Sequence, residues 1–167
     1  IRFNSKQPAS SEHAITIKKI IQSFKNRLDS EKIPLQIDVF GITAYGEEKH
    51  IGQSIPLFAS SVDTVCPMVY PSHYVPFEDH YTHPYKTVYD SLVSIKEQFD
   101  GKVPVKLNPF IELSNYHYPH QSHEEKLKYI YAQIQAAQDA GVDGWYAWSA
   151  SNYYDNLFKV LENYPVK

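Results

Sequence analysis

The sequence predicts an α/β fold built as part of a parallel β/α barrel of the TIM type, and three observations carry that prediction. Helical and strand periodicities alternate along the whole chain, each change is marked by a turn or cap residue, and the aromatic-rich loops all follow strands rather than precede them. About four strands are legible, plus a strand stub at Ile1-Arg2-Phe3, whereas a complete barrel of this type uses eight strands and about 250 residues.

Ser10 or Ser11 is placed to cap a first helix carrying Ile17, Ile20, Ile21, Phe24 and Leu28 on one side, the i, i+3, i+4, i+7 pattern of a helix packed on a sheet. After the turn at Lys32 to Pro34, Leu35, Ile37 and Val39 alternate with Gln36, Asp38 and Phe40, and Gly41 closes this strand. A short helix is expected around Ile55 to Ser60, then a second strand over Val62 to Tyr70 ending at Pro71. Pro84 suits the first turn of a helix with Tyr85, Val88, Tyr89, Leu92, Ile95 and Phe99 on one face, ended by Gly101. Val103 to Phe110 reads as the third strand. Ser122 and Glu125 form an S-x-x-E capping box for a helix carrying Leu127, Ile130, Tyr131, Ile134 and Ala137, closed by Gly141. Gly144 to Ser149 is the fourth strand, and Asp155 is expected to cap a short last helix with Leu157, Phe158 and Leu161. No linker, low-complexity stretch or sequence repeat divides the chain, so residues 1–167 are expected to form a single domain.

Composition narrows the function. A net charge of −3 with scattered Lys and Arg lacks the basic stripe that nucleic acid requires. No apolar run reaches the roughly 18 residues of a membrane span. Cys66, the single cysteine, has no intrachain partner for a disulfide and reads as core packing. Fourteen Tyr and eight His exceed what core packing asks of 167 residues, and they concentrate in Tyr70 to Tyr85, Tyr116 to His123 and Tyr153-Tyr154, so the loops are expected to carry the function.

In parallel β/α folds the site lies at the carboxyl ends of the strands, here Asp38 to Gly41, Met68 to Tyr74, Asn108 to Glu112 and Trp145 to Ser149. Aromatic faces stack on the C–H faces of sugar rings while carboxylates, Asn and His bond their hydroxyls, so a carbohydrate is the expected partner. Tyr70, Tyr146 and Trp148 are also compatible with plain filling of the barrel top; the loop residues Tyr74, Tyr81, Tyr116 and Tyr118 fit that alternative less well. Alternation puts Asp38 on the side away from Leu35, Ile37 and Val39, which in a barrel is the interior, so it is the first catalytic candidate; a structural Asp paired with a cation is the alternative. Glu112, just past the third strand, is the second candidate, since two carboxylates flanking one glycosidic bond are the minimum apparatus for its hydrolysis; a plain loop carboxylate is the alternative. Tyr70, His73, Tyr74, Trp148 and Asn152 are the expected sugar-holding residues. His73, His80 and His83 in one loop and His117, His120 and His123 in another leave a metal open, but no H-E-x-x-H and no paired cysteines occur, and no metal or cofactor is assigned. Ser72 lies in no G-x-S-x-G elbow.

The runs Asp38-Val39-Phe40-Gly41, Pro67-Met68-Val69-Tyr70-Pro71-Ser72-His73-Tyr74, His83-Pro84-Tyr85 and Trp148-Ser149-Ala150-Ser151-Asn152-x-Tyr154 together resemble the bacterial putative glycosyl hydrolase domain, a family of unknown function related to α-amylase-type barrels. The resemblance implies that these segments are strands five to eight, the C-terminal half of the barrel. It also implies that Ile1-Arg2-Phe3 ends a fourth strand written Asp-Tyr-Ile-Arg-Phe-Pro, with Asn4 in place of the Pro. The Asp of that motif, a catalytic carboxylate by analogy, would then precede Ile1. Glu112 stands where the family tends to have Gln, whereas Asp38 keeps the family pattern. A cell-envelope or secreted location is what the resemblance favours. The expected activity is that of a glycoside hydrolase on a polysaccharide, with a non-catalytic carbohydrate-binding barrel and a metal-dependent polysaccharide deacetylase as alternatives. Half a barrel exposes its outer strands, so the chain is expected to self-associate or to pair with the missing N-terminal half, and to be inactive alone.

Overall fold

The computed structural model describes residues 8–117 and 122–165. The expected stub at Ile1-Arg2-Phe3 and the loop residues Tyr118 and His120 lie outside them. Helix α1 (Ser11–Ser30) starts at Ser10, whose hydroxyl accepts the Glu12 N–H at 3.2 Å. It is followed by β1 (Gln36–Phe40), a 3-10 turn over Gly41–Tyr45, α2 (Ile55–Ala59) and β2 (Thr64–Met68). A 3-10 turn at Pro71–His73, the short α3 (Phe77–Tyr81) and α4 (Pro84–Glu97) lead to β3 (Lys106–Leu107) and β4 (Phe110–Glu112). The chain continues through α5 (His123–Asp139), β5 (Tyr146–Trp148) and α6 (Asp155–Asn163).

All pairings between these strands are parallel, in the order β1-β2-β4-β5, with β3 also on β2. Thr64 faces Lys106 and Met68 faces Phe110, the same offset, so β3 and β4 are one strand in unbroken register. Pro109, which has no N–H to give a ladder, divides it. The expected third strand is therefore present but split, and it runs two residues further, to Glu112.

Alternation then sorts the side chains. Val39, Val65, Leu107 and Ile111 are buried. The first three join a core with Val88, Leu92 and Ile95 of α4, and Ile111 joins a second with Ile130 and Ile134 of α5. The helices thus cover one face. On the other face Gln36, Asp38 and Phe40 are exposed on β1, as the alternation predicts for a barrel interior. The Tyr146 hydroxyl donates to Gln36 Oε1 at 3.1 Å. Three strand spacings of about 4.8 Å separate β5 from β1 along the sheet, so side chains from both can meet only if this face is concave. The sheet curves as a barrel does, and β1 and β5 are its two edges among the described residues.

Ser122 and Glu125 form the expected capping box: the Ser122 hydroxyl accepts the Glu125 N–H at 3.1 Å and Glu125 Oε2 accepts the Ser122 N–H at 3.0 Å. Two expectations are corrected. Asp155 does not cap α6; Tyr154 holds the cap position without a side-chain bond and Asp155 opens the first turn, where its charge suits the helix dipole. The apolar stripe of α1 is only partly used: Ala14 is buried and Ile17 and Ile21 pack on the core, but Ile20 and Phe24 are 55% and 60% exposed. The sheet is too narrow to cover a stripe that wide.

Candidate active site

The carboxyl ends of the strands converge on one aromatic cleft. The register pairs Asp38 with Cys66, Phe40 with Met68, and Glu112 with Trp148, so the inner face is layered from Asp38 up to the loops. Phe40, Met68, Tyr70, His73 and Tyr74 line a cleft of about 640 Å³, with Gly41, Tyr45 and His80 at its sides. Asp38 sits one layer below Phe40 and Met68 on the same face. Its side chain is solvent-accessible on the open face, yet the sheet strips part of its hydration and raises its carboxyl above the usual value of 3.8. No cation pairs with it among the described residues. Cys66, fully buried, has its thiol pushed up to about 12 by burial and then by Asp38, which makes it core packing in a location where a thiolate would be costly.

Above this layer Tyr70 stacks on Trp148 with ring centres 4.9 Å apart and planes 13° from parallel. His73 stands edge-on to Tyr116 and Trp148, at 5.7 and 6.4 Å, and the ring of His117 stacks on Phe77 at 4.0 Å. Burial raises the Tyr70 phenol well above its usual range, and Glu112 and Asp38 raise it further, so both carboxylates act electrically on one hydroxyl. Tyr74 is 7% exposed, and its hydroxyl accepts a hydrogen bond from Ser91 at 3.2 Å. It is a wall of the cleft. Asn152 adopts φ 54° in the turn after β5, a left-handed position that Asn tolerates, and lies exposed outside the cleft's lining. In the same turn the Ala150 N–H donates to the Tyr116 hydroxyl at 3.3 Å. Gly41 closes β1 because a Cβ there would collide with the Met68 carbonyl and the Tyr74 hydroxyl. The Asp38 to Gly41 run and the Met68 to Tyr74 run are therefore fitted to each other.

Glu112 is fully buried and does not open to the cleft. Its Oε1 accepts the Ser72 N–H at 2.7 Å and the Tyr129 hydroxyl at 2.6 Å, and its Oε2 accepts the Ser72 hydroxyl at 2.8 Å with His73 Nδ1 at 3.4 Å. Gln133 binds the Glu112 backbone from both sides, as donor and as acceptor. Ser72, Tyr129 and Gln133 are the residues that sequence reasoning missed. Tyr129 carried one usable signal, a phenol on the buried side of a helix, since a buried Tyr hydroxyl needs a partner. Ser72 is fully buried with its proton committed to Glu112, which leaves it no role as a nucleophile. Among the described residues no group of three His, Cys, Asp or Glu is arranged to hold a metal ion.

Fold and site together define a curved parallel α/β sheet of barrel type with a one-ended aromatic cleft. The chain belongs to the family described as "Putative glycosyl hydrolase domain", whose model matches residues 1–154. Among solved structures it is similar to the PgaB (BpsB) glycoside hydrolase domain from Bordetella bronchiseptica, with a TM-score of 0.55 and 13% identity over 91% of this chain and 45% of that one. The chain thus spans about half the length of that structure. No curated protein matches the sequence.

Proposed function

We propose that the chain supplies the C-terminal half of a glycoside hydrolase barrel, strands five to eight, acting on a polysaccharide. The observation that carries this reading is the placement of Asp38, with its raised carboxyl, one layer beneath an aromatic cleft lined by Tyr70, His73 and Tyr74, with Trp148 stacked on Tyr70. A carboxyl that holds its proton more tightly than usual suits a general acid, and stacked rings suit a sugar face. In this reading Asp38 protonates or stabilises at the glycosidic bond, Tyr70, Trp148 and His73 hold the ring, and Asn152 contributes from the rim. Glu112 anchors the loop instead of attacking substrate, so the second carboxylate comes from the half that closes the barrel.

That closure has its own support. Ile20 and Phe24 on α1, Phe40, Ile42 and Tyr45 at the β1 edge, and Phe158 and Leu161 on α6 are all 42% exposed or more, so apolar surface flanks both open edges of the sheet. Further β/α units, or a second copy, would cover it. A screen of polysaccharides and aryl glycosides, run on the chain alone and on a polypeptide carrying eight strands, tests the reading, with light scattering for assembly. Turnover by the longer polypeptide that Asp38→Asn abolishes is expected. Turnover unaffected by Asp38→Asn would overturn it.

One observation favours a second reading, a non-catalytic carbohydrate-binding barrel: the buried Glu112 leaves the described part of the cleft with a single open candidate carboxylate. That protein would bind the same glycans and cleave none.

A further inference from the structure

The buried cluster around Glu112 meets His73 at one ring nitrogen, Nδ1. Glu112 can only accept, and three donors already converge on it: the Ser72 N–H, the Ser72 hydroxyl and the Tyr129 hydroxyl. A serine hydroxyl has one proton, and that of Ser72 is directed to Glu112 Oε2 at 2.8 Å. Its oxygen is left as an acceptor, and the Tyr116 N–H approaches it at 3.4 Å in that sense. Among the described residues His73 Nδ1 meets only these two groups, Ser72 Oγ at 3.2 Å and Glu112 Oε2 at 3.4 Å. Both are acceptors toward it, so Nδ1 must be the donor.

The consequence falls on the other nitrogen. Nε2 makes no hydrogen bond among the described residues, and the ring is about half exposed where it lines the cleft. A neutral His73 with its proton on Nδ1 presents a bare lone pair at Nε2, and protonation adds a donor at that same atom. The ring faces Tyr70 from its own loop, Tyr116 and His117 from the segment after β4, Trp148 from β5, and Glu112 beneath. Among these, Glu112 and Ser72 alone touch Nδ1.

We propose that Glu112 and Ser72 are positioning residues that hold His73 in the tautomer protonated on Nδ1, so that Nε2 stands in the cleft as an acceptor for a hydroxyl of the ligand. The identity of that ligand rests on the glycan reading above; the tautomer does not. Nothing about the Ser72-His73 pair then requires a nucleophilic serine. The pair is the upper part of a support whose base is Glu112, itself held by Tyr129 of α5.

Two-bond proton–nitrogen correlation spectra of the imidazoles, with His73 assigned by His73→Gln, read the tautomer directly and need no ligand. The expected result is an Nδ1-protonated neutral ring in the wild type, and loss of that preference in Ser72→Ala and Glu112→Gln. Should the buried Glu112→Gln fail to fold, the wild-type spectrum and Ser72→Ala decide the matter. A wild-type ring protonated on Nε2, or a folded Ser72→Ala and Glu112→Gln with the tautomer unchanged, would overturn the proposal. Binding supplies a separate arm: for a glycan that the wild type binds, Ser72→Ala is expected to weaken affinity by about tenfold, the worth of one well-made hydrogen bond. A chain with the stated tautomer that binds no glycan refutes the glycan reading and leaves the positioning one standing.

Discussion

Tyr129→Phe removes one oxygen from the buried support and almost nothing else. The ring is 4% exposed and its hydroxyl donates to Glu112 Oε1 at 2.6 Å, so the substitution leaves shape and apolar burial intact and deletes a hydrogen bond to a charged acceptor. Such bonds contribute about 1.5–3 kcal/mol, and Glu112 would keep the two donors of Ser72 and the longer contact from His73 Nδ1. A loss of about 2 kcal/mol is expected, which for a chain of this size lowers the midpoint by roughly 4–8 °C. Thermal and urea unfolding of wild type and Tyr129→Phe measure it, and the urea slope should stay constant if only stability has changed. Tyr85→Phe is the control, because its hydroxyl bonds Asp139 at 3.0 Å on the exposed surface and should matter little. Equal effects of the two substitutions would refute the reasoning, since Glu112 would then not depend on buried donors.

The remaining expectations concern charge, stacking and fit. Asp38 has a carboxyl raised above 3.8, so its ionisation costs stability as pH rises past that value; Asp38→Asn should raise the unfolding midpoint at pH 7 while leaving it unchanged near pH 3. A lower midpoint at pH 7 would contradict the desolvation argument. Asp63 is shifted the opposite way, held below 3.8 first by Lys25 and then by the Leu35 N–H, so its contribution is full above that pH and disappears as pH falls through the depressed value. Asp63→Asn should therefore flatten the acid side of a stability-against-pH curve. Trp148→Ala removes the ring stacked on Tyr70, which lines the cleft, and should weaken glycan binding by about 1–2 kcal/mol in a titration. Gly41→Ala forces a methyl against the Met68 carbonyl and the Tyr74 hydroxyl and should destabilise by about 1–3 kcal/mol, measured in urea.

Much of the fold was legible in the sequence because its signals are local. The capping box at Ser122 and Glu125, the proline opening α4 and the period-two run Leu35 to Phe40 each state a backbone choice within a few residues, and the structure bears out each of them. The same alternation put Asp38 on the inner face. Where the local signals were weaker, the structure moved the boundary: Pro109 splits a strand that periodicity carried through, and Asp155 opens a helix it was expected to cap.

What the sequence by itself determined, then, is the order of elements, their parallel pairing and the end of the sheet where the aromatic cleft lies, since caps, prolines and periodicities act over one or two turns of chain. Tertiary structure alone decided what Glu112 does. Whether a carboxylate after a strand faces a cleft or a buried hydroxyl depends on Ser72, 40 residues before it, and Tyr129, 17 residues after it, and no spacing in the sequence encodes that meeting. The same holds for Ile20 and Phe24, whose pattern is that of a buried face but whose burial requires a neighbour that these strands do not provide. Periodicity specifies which way a side chain points from its own backbone; what it meets there is set by packing between distant segments.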